Sequence, residues 1–402
     1  MISSLISDAA TPKTGVRAPL QKLTGFFFAF RICIIYLGFQ SDPRSGTAVS
    51  LMFSGCLLAC GIVYTLGDKD FSSRLLRRSP TNKWLLAYLG LTAASLLWTA
   101  ASSPAIAGGY WVGMAMDVIT VTLLLKAPDL SVQVDALMKG FVFGSLAVAA
   151  VAWLAPALAN SRIGDDEFLH PNNLGLEFGI AFFLAQYLAM RDRIWNLGAL
   201  VLSLSLLRTI SKTSITAFLI AETLYIVRDR QISRWAKVRI AAIAMLAVAA
   251  SAGFIGAYTA TYIADADSAE TLTGRTTIWA RSFLMALEHP WLGHGIFSYH
   301  ALIPAFGKLE PLHAHNELLQ QFFEYGALGL AVTLALHFSL FRAGWRLSPA
   351  PYARLSMVLV LFALIRGMAD TINIGLSLPL WLFAALAIAM THTSQEPVEA
   401  RS

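Results

Sequence analysis

ALMKGFVFGSLAVAAVAWLAP, residues 136–156, contains one charged side chain, Lys139. As a helix this run rises about 30 Å, the thickness of the hydrocarbon core of a bilayer. It has no polar face to offer water, and it is long enough to cross lipid.

The same texture recurs along the chain. Apolar blocks fall at about 24–40, 47–67, 84–100, 110–126, 136–156, 173–189, 195–210, 213–227, 240–258, 318–341, 355–370 and 376–391. Only Ser211 and Lys212 separate the seventh from the eighth. The 402 residues are 56% hydrophobic and 13% charged, whereas soluble domains carry about a quarter charged residues. That leaves too little polar surface to coat a water-soluble globule. The expected fold is an all-α polytopic membrane protein with about twelve transmembrane helices.

Charge orients the blocks. Alternating sides from a cytoplasmic N-terminus puts 21 Lys and Arg on the cytoplasmic side and 8 on the outer side, with Arg31 inside the first block. This is the bias of the positive-inside rule, and it accounts for the net charge of +6 without nucleic acid. The expected organisation is a cytoplasmic tail over 1–23, helices one to nine over 24–258, a long outer loop over 259–317, helices ten to twelve over 318–391, and a cytoplasmic tail over 392–402. The N-terminus shows no short apolar region with a cleavage site, so no removable signal peptide is expected. Cys33, Cys56 and Cys60 all sit in apolar blocks, which argues against a disulfide framework or zinc finger.

The outer loop is the natural place for function, being long and carried by a helical scaffold. Six of the eight histidines fall on the outer side: His170, His289, His294, His300, His313 and His315. A single loop histidine is commonly just solvated, but His313-Ala314-His315-Asn316 sits where the loop re-enters the membrane. Beyond it Glu317, Gln320, Gln321 and Glu324 share one helical face. Polar groups within a span face the protein interior or a wet cavity, so this face predicts a polar cavity opening outward. Gly326 and Gly329 follow, and their spacing predicts close approach of a neighbouring helix. Arg275, Arg281, Arg208, Lys212 and Arg162 gather on the same side and suggest a phosphate-binding surface. The pair Asp265 and Asp267 reads as a solvated acidic loop. His313 and His315 would need a third ligand to hold zinc, which His294 or His300 would have to supply.

These residues also carry a resemblance. His315-Asn316, nine residues, Gly326, two residues and Gly329 resemble the signature of bacterial O-antigen ligases and of the related O-antigen and exopolysaccharide polymerases. Gly274-Arg275 with Trp279, the stretch from His289 to Gly295, Arg162 to Asn172, and Ser211-Lys212-Thr213 resemble the other landmarks of that superfamily. The resemblance implies a GT-C-like glycosyltransferase in the bacterial inner membrane, multi-pass, with its active site facing the periplasm. The donor it implies is a glycan on undecaprenyl diphosphate, and the acceptor is a glycan or lipid A core. No metal and no cofactor is implied, and a chain-length regulator is a further partner. The roles carried over are catalytic for His315, Arg275 and Lys212. Substrate contacts are expected from Arg281, Arg208, Arg162, His313, Asn316, Glu317, Trp279 and Asn172. The ligases usually have arginine where this chain has Lys212, and the Ser-Lys-Thr form is more similar to exopolysaccharide polymerases. Polymerisation is therefore the expected activity, with ligation to lipid A core as the alternative.

The chemistry of the residues agrees. A diphosphate leaving group needs its growing charge neutralised by cations, and an attacking sugar hydroxyl needs a base, for which His315 is suited. Asn316 or Glu317 would orient the imidazole. The rival class is a transporter, suggested by Asp117, Glu177, Glu222, Arg366 and Asp370 within the spans. No internal repeat and no midplane charge cluster accompany them.

Overall fold

The computed structural model describes residues 14–41, 45–65, 80–125, 130–155, 162–164, 169–250, 272–303, 313–347 and 350–371. The block at 376–391, the tail at 392–402 and the Asp265–Asp267 pair lie outside the described residues. Among the described residues the chain is all-helical. In order the helices are α1 (Thr14–Ser41), α2 (Ser45–Thr65), α3 (Pro80–Ser95), α4 (Pro104–Leu125), α5 (Leu130–Leu154), α6 (Pro171–Ala189) and α7 (Trp195–Arg208). There follow α8 (Lys212–Arg228), α9 (Arg234–Ala250), α10 (Leu272–Ala286), α11 (Tyr299–Leu302), α12 (Glu317–Leu347) and α13 (Pro351–Gly367). Eleven of the expected blocks coincide with a helix at least in part. Two helices among the described residues, Val132–Leu154 and Glu317–Leu347, are long and apolar enough to cross a membrane by length and composition.

Local chemistry sets several helix starts. α3, α4, α6 and α13 open on proline, whose fixed φ suits the first turn and whose missing N–H is not needed there. Asn316 caps α12 by accepting from Leu319 N at 3.0 Å. α1 starts at Thr14, so the end of the expected tail is helical. α3 stops at Ser95, short of residue 100 where its block was expected to end. The Ser95 hydroxyl accepts from Ile296 N (3.1 Å), and Ala100 N donates to His294 O (2.9 Å). This chain segment therefore docks on the loop before α11 instead of continuing as helix.

α1 lies along α5, α2 packs on α1 and α4, and α13 packs between α12 and α8. The α1–α5 seam is tight because it is made of glycines: a Cβ on Gly140 would fall 1.9 Å from Lys22 O, and one on Gly25 2.0 Å from Leu137 O. Charges inside the bundle are paired between helices. Arg31 on α1 meets Asp117 on α4 at 2.7 Å, with Ser54 of α2 donating to the same carboxylate at 2.9 Å. Glu222 on α8 accepts from Gln186 on α6 at 2.7 Å. This tying of helices is a structural role, and it weakens the transporter reading that those charges prompted.

α12 departs from the continuous 318–341 span. Gly326 has φ 64° and ψ −163°, which breaks the helix into two arms. A straight helix would separate Gln321 from Thr333 by about 18 Å, yet Thr333 Oγ1 donates to Gln321 Oε1 at 3.3 Å. The arms therefore fold toward each other. The break frees backbone groups, and the loop after α10 satisfies them. His294 N and Gly295 N donate to Phe323 O (3.0 Å) and Glu324 O (2.8 Å), while Ala327 N and Leu328 N donate to Pro290 O (2.8 Å) and Trp291 O (3.3 Å). Irregular backbone at membrane depth survives only when it is satisfied inside protein in this way.

The glycine spacing read as a helix-approach site is thus a helix break. Gly326 is required by its positive φ and because a Cβ there would sit 2.3 Å from the Trp291 carbonyl carbon. A Cβ on Gly329 would fall 2.1 Å from the Tyr325 side chain, which turns across the break. Gly326→Ala is expected to destabilise the fold by about 1–3 kcal/mol from backbone strain alone, with the clash adding to it. Thermal unfolding in detergent checks this, and an unchanged midpoint would count against the break.

Candidate functional site

Two polar clusters meet where α6, α8, α10, α12 and α13 end. The first is built on the start of α6. His170 caps that helix, its Nδ1 accepting from Asn172 N at 3.3 Å. The Asn172 amide oxygen accepts from Arg162 Nη2 (3.2 Å) and from Ser211 Oγ (2.9 Å). Arg162, itself buried, also donates through Nε to Thr209 O at 3.0 Å. Arg162, Asn172 and Ser211 thus lock the turn between α7 and α8 onto α6. A glycine at residue 175 permits this closeness, since a Cβ there would lie 2.8 Å from the Ser214 hydroxyl. Lys212 is the first residue of α8 and is exposed, while Arg208 closes α7 and is half-buried. Lysine at a helix N-terminus adds its charge to the positive end of the helix dipole, which favours an anion there.

The second cluster centres on His315, which holds a left-handed backbone (φ 49°) unusual for a residue with a side chain. Its surroundings enforce that conformation. His315 N donates to His313 Nδ1 (3.2 Å), Ala314 N to Gln320 Oε1 (2.8 Å), and Trp279 Nε1 of α10 to His315 O (3.3 Å). Asn316 adds a bond from Nδ2 to Met368 O at 2.9 Å, pinning the start of α12 to the end of α13. The strained turn presents the imidazole toward α13, where its Nδ1 stands 3.6 Å from Asp370 Oδ1, an ion-pair distance longer than a hydrogen bond. The His315 side chain is 18% exposed and that of Asp370 4%, so the histidine is the member a substrate can reach.

Asp370 is held in turn. Arg366, fully buried, donates to Asp370 Oδ2 at 2.9 Å and to Asn172 O at 3.1 Å, and so joins the two clusters. Arg275 of α10 donates to Ala369 O beside it. The Arg275 Nε is buried and has no hydrogen-bond partner among the described residues. The His313 ring lies tilted against that of His315, with ring centres 4.2 Å apart. Burial, and secondly the neighbouring His315, push its imidazole down to about 3, so it is neutral.

The structure therefore brings His315, His313, Asn316, Glu317, Trp279 and Arg275 together, with Asn172 and Arg162 joined through Arg366. It does not bring Arg281 to them. Arg275, Ile278, Ser282 and Ala286 form the buried face of α10, and Arg281 is exposed on another face. Of the residues near the imidazole, Asp370 and not Asn316 or Glu317 faces its Nδ1. Asn316 caps α12, and Glu317 accepts from Gln321 Nε2 at 2.9 Å. His294 is no third partner of the histidine pair: it is buried against Phe323, with Nε2 3.0 Å from Met285 O. His300 is exposed on α11. Sequence reasoning missed Arg366 and Asp370 as site residues. Their i, i+4 spacing allows a mutual pair, but nothing local shows that His315 faces them.

Residues 197–334 match the family model described as O-antigen ligase. Over 98 residues the chain is 31% identical to an O-antigen ligase of Pseudomonas aeruginosa, an overlap covering 24% of this chain and 24% of that protein. Both findings support a resemblance to the O-antigen ligase superfamily. The family match includes Lys212, Arg275 and His315, while Arg162, Asn172, Arg366 and Asp370 lie outside it.

Removing Arg366 alone would leave a buried, unpaired carboxylate. Arg366→Met is expected to cost about 3–5 kcal/mol of stability, and the double variant Arg366→Met/Asp370→Leu to recover most of it. Denaturant unfolding of the three proteins in micelles measures this, and a double variant no better than the single would argue against the pair.

Proposed function

We propose that this chain is a membrane glycosyltransferase that moves a glycan from undecaprenyl diphosphate to a sugar hydroxyl on the periplasmic face, acting as a surface-polysaccharide polymerase. The proposal includes about twelve crossings of the inner membrane, both termini in the cytoplasm, and the loop at 259–317 outside. The observation that carries it is the line Arg366–Asp370–His315, with Arg275 beside it at the mouth of a polar helix face.

In this reading the acceptor hydroxyl attacks the anomeric carbon and the bond from that carbon to the phosphate oxygen breaks. The hydroxyl proton passes to His315, and Asp370 orients the ring from its Nδ1 side. Direct attack inverts the anomeric centre. The departing diphosphate gains charge as the bond breaks, and Arg275 and Lys212 supply the compensating cations. Arg162 and Asn172 act by holding the α7–α8 turn that carries Lys212, Arg208 flanks the same turn, and Trp279 supports the His315 backbone. His313, neutral at ambient pH, does not repel an incoming cation or proton. The polyprenyl tail lies in lipid between helices, and a chain-length regulator is a fitting partner. No metal is required for this chemistry, because the diphosphate already leaves readily and its charge is met by side chains.

A second reading is ligation to lipid A core, favoured by the description of the matched family and of the Pseudomonas protein. The Ser211-Lys212-Thr213 element favours polymerisation. Purified protein given one lipid-linked oligosaccharide repeat, without lipid A core, separates the two. A ladder of lengthening products is the expected result. Product formed only after lipid A core is added would identify a ligase. His315→Ala is expected to lower the rate by about 10²- to 10⁴-fold while remaining folded. Normal turnover in that variant would remove His315 from the base role.

A further inference from the structure

His313, His315 and Asp370 do something together that neither glycan transfer nor packing requires. One ligand-capable atom from each lies within 4.8 Å of the others. Two ligands bound at about 2.0–2.1 Å to a tetrahedral zinc ion stand about 3.3 Å apart, and His315 Nδ1 and Asp370 Oδ1 are already 3.6 Å apart. That separation is too long for a hydrogen bond, and His315 Nδ1 is buried with no hydrogen-bond partner among the described residues. The supporting bonds are those of a ligand set. Asp370 is fixed by Arg366 on one oxygen and by Thr371 N on the other, both at 2.9 Å. His313 accepts the His315 N–H on Nδ1, so its lone pair lies on Nδ1 and an ion takes it in exchange for that hydrogen bond.

We infer that His313, His315 and Asp370 form an inhibitory binding site for a zinc-like divalent cation. This rests on the proposed function only for the consequence of binding. An ion on His315 Nδ1 fixes the ring proton on Nε2, so that nitrogen can no longer accept the acceptor's proton, and it draws Asp370 away from its orienting role, so transfer stops. Two imidazoles and one carboxylate make a three-ligand site. The guanidinium of Arg366 stands beside it and disfavours a cation, so binding is reversible and the ion acts as a brake instead of a structural element.

The test is a titration of the purified full-length chain with Co2+, whose visible spectrum reports tetrahedral nitrogen and oxygen ligation. The expected result is saturation at one equivalent per chain, displaced by Zn2+ and weakened at least about tenfold in His313→Ala and in Asp370→Asn. His300→Ala, at an exposed histidine away from the cluster, is expected to leave the titration unchanged. Thermal unfolding of His313→Ala separates loss of the site from loss of the fold. No saturable band, or one that persists in both ligand variants, would overturn the site. In the transfer assay, Zn2+ at the concentration that fills the site is expected to abolish the product ladder, and chelator to restore it. Zinc that fills the site while transfer continues or accelerates would overturn the inhibitory role. The spectroscopic arm needs no activity, so its outcome stands whether or not the transferase reading does.

Discussion

A backbone that leaves helical geometry inside a low-dielectric region must find a partner for every N–H and C=O it releases, and the site depends on how α12 meets that demand at Gly326. The loop from Pro290 to Gly295 supplies two carbonyls and two amides to the break. Because the break is satisfied, the first arm of α12 is free to turn back, so that Gln321 reaches Thr333. The turn also lets the start of α12 sit against the end of α13, where Asn316 bonds Met368 O and a Cβ on Gly367 would lie 3.0 Å from Glu317. His315 faces Asp370 as a result of that contact. The loop histidines divide on the same ground: His294 belongs to the plug that fills the break, and His315 to the surface the break exposes.

Buried charge plays the supporting part. A lone ion inside such a bundle is costly, and three buried pairs are matched: Arg31 with Asp117 and Arg354 with Asp229 between helices, and Arg366 with Asp370 four residues on at the end of α13. The first two join helices and end there. The third differs because Arg366 also holds Asn172 O and Asp370 also faces His315. One guanidinium therefore relates the cluster around Asn172 to the cluster around His315.

How much of this was legible varies with the range of the interaction. The presence of the helical blocks was readable, because apolar length is a local property, but their ends were not: α1 starts at Thr14, ten residues before its block. α3 ended early for a non-local reason, the docking of residues 95–100 on the loop before α11. The polar face of Glu317, Gln320, Gln321 and Glu324 was correctly placed on one side of a helix, and its members do bond to each other. The glycines after it were misjudged, since spacing alone does not distinguish a close helix contact from a positive φ. Arg162 looked like a phosphate ligand because arginine on an outer face usually is available. Its partners, Asn172 at the start of α6 and Thr209 in the turn after α7, could not be seen in advance.

The amino-acid sequence by itself determined that the chain is helical and apolar, which side its charge favours, and that His315-Asn316 begins a polar helix with glycines beyond it. These follow from composition and from periodicity along a helix, both set by neighbours in the chain. Only the tertiary structure decided that Gly326 breaks that helix, that Asp370 and not Glu317 stands at the imidazole, and that Arg366 links the two polar clusters. The physical reason is that a side chain's partner across a helix bundle depends on where the other helix comes to rest. That resting place is set by steric contact and by the need to satisfy every buried polar group, not by any pattern within one segment.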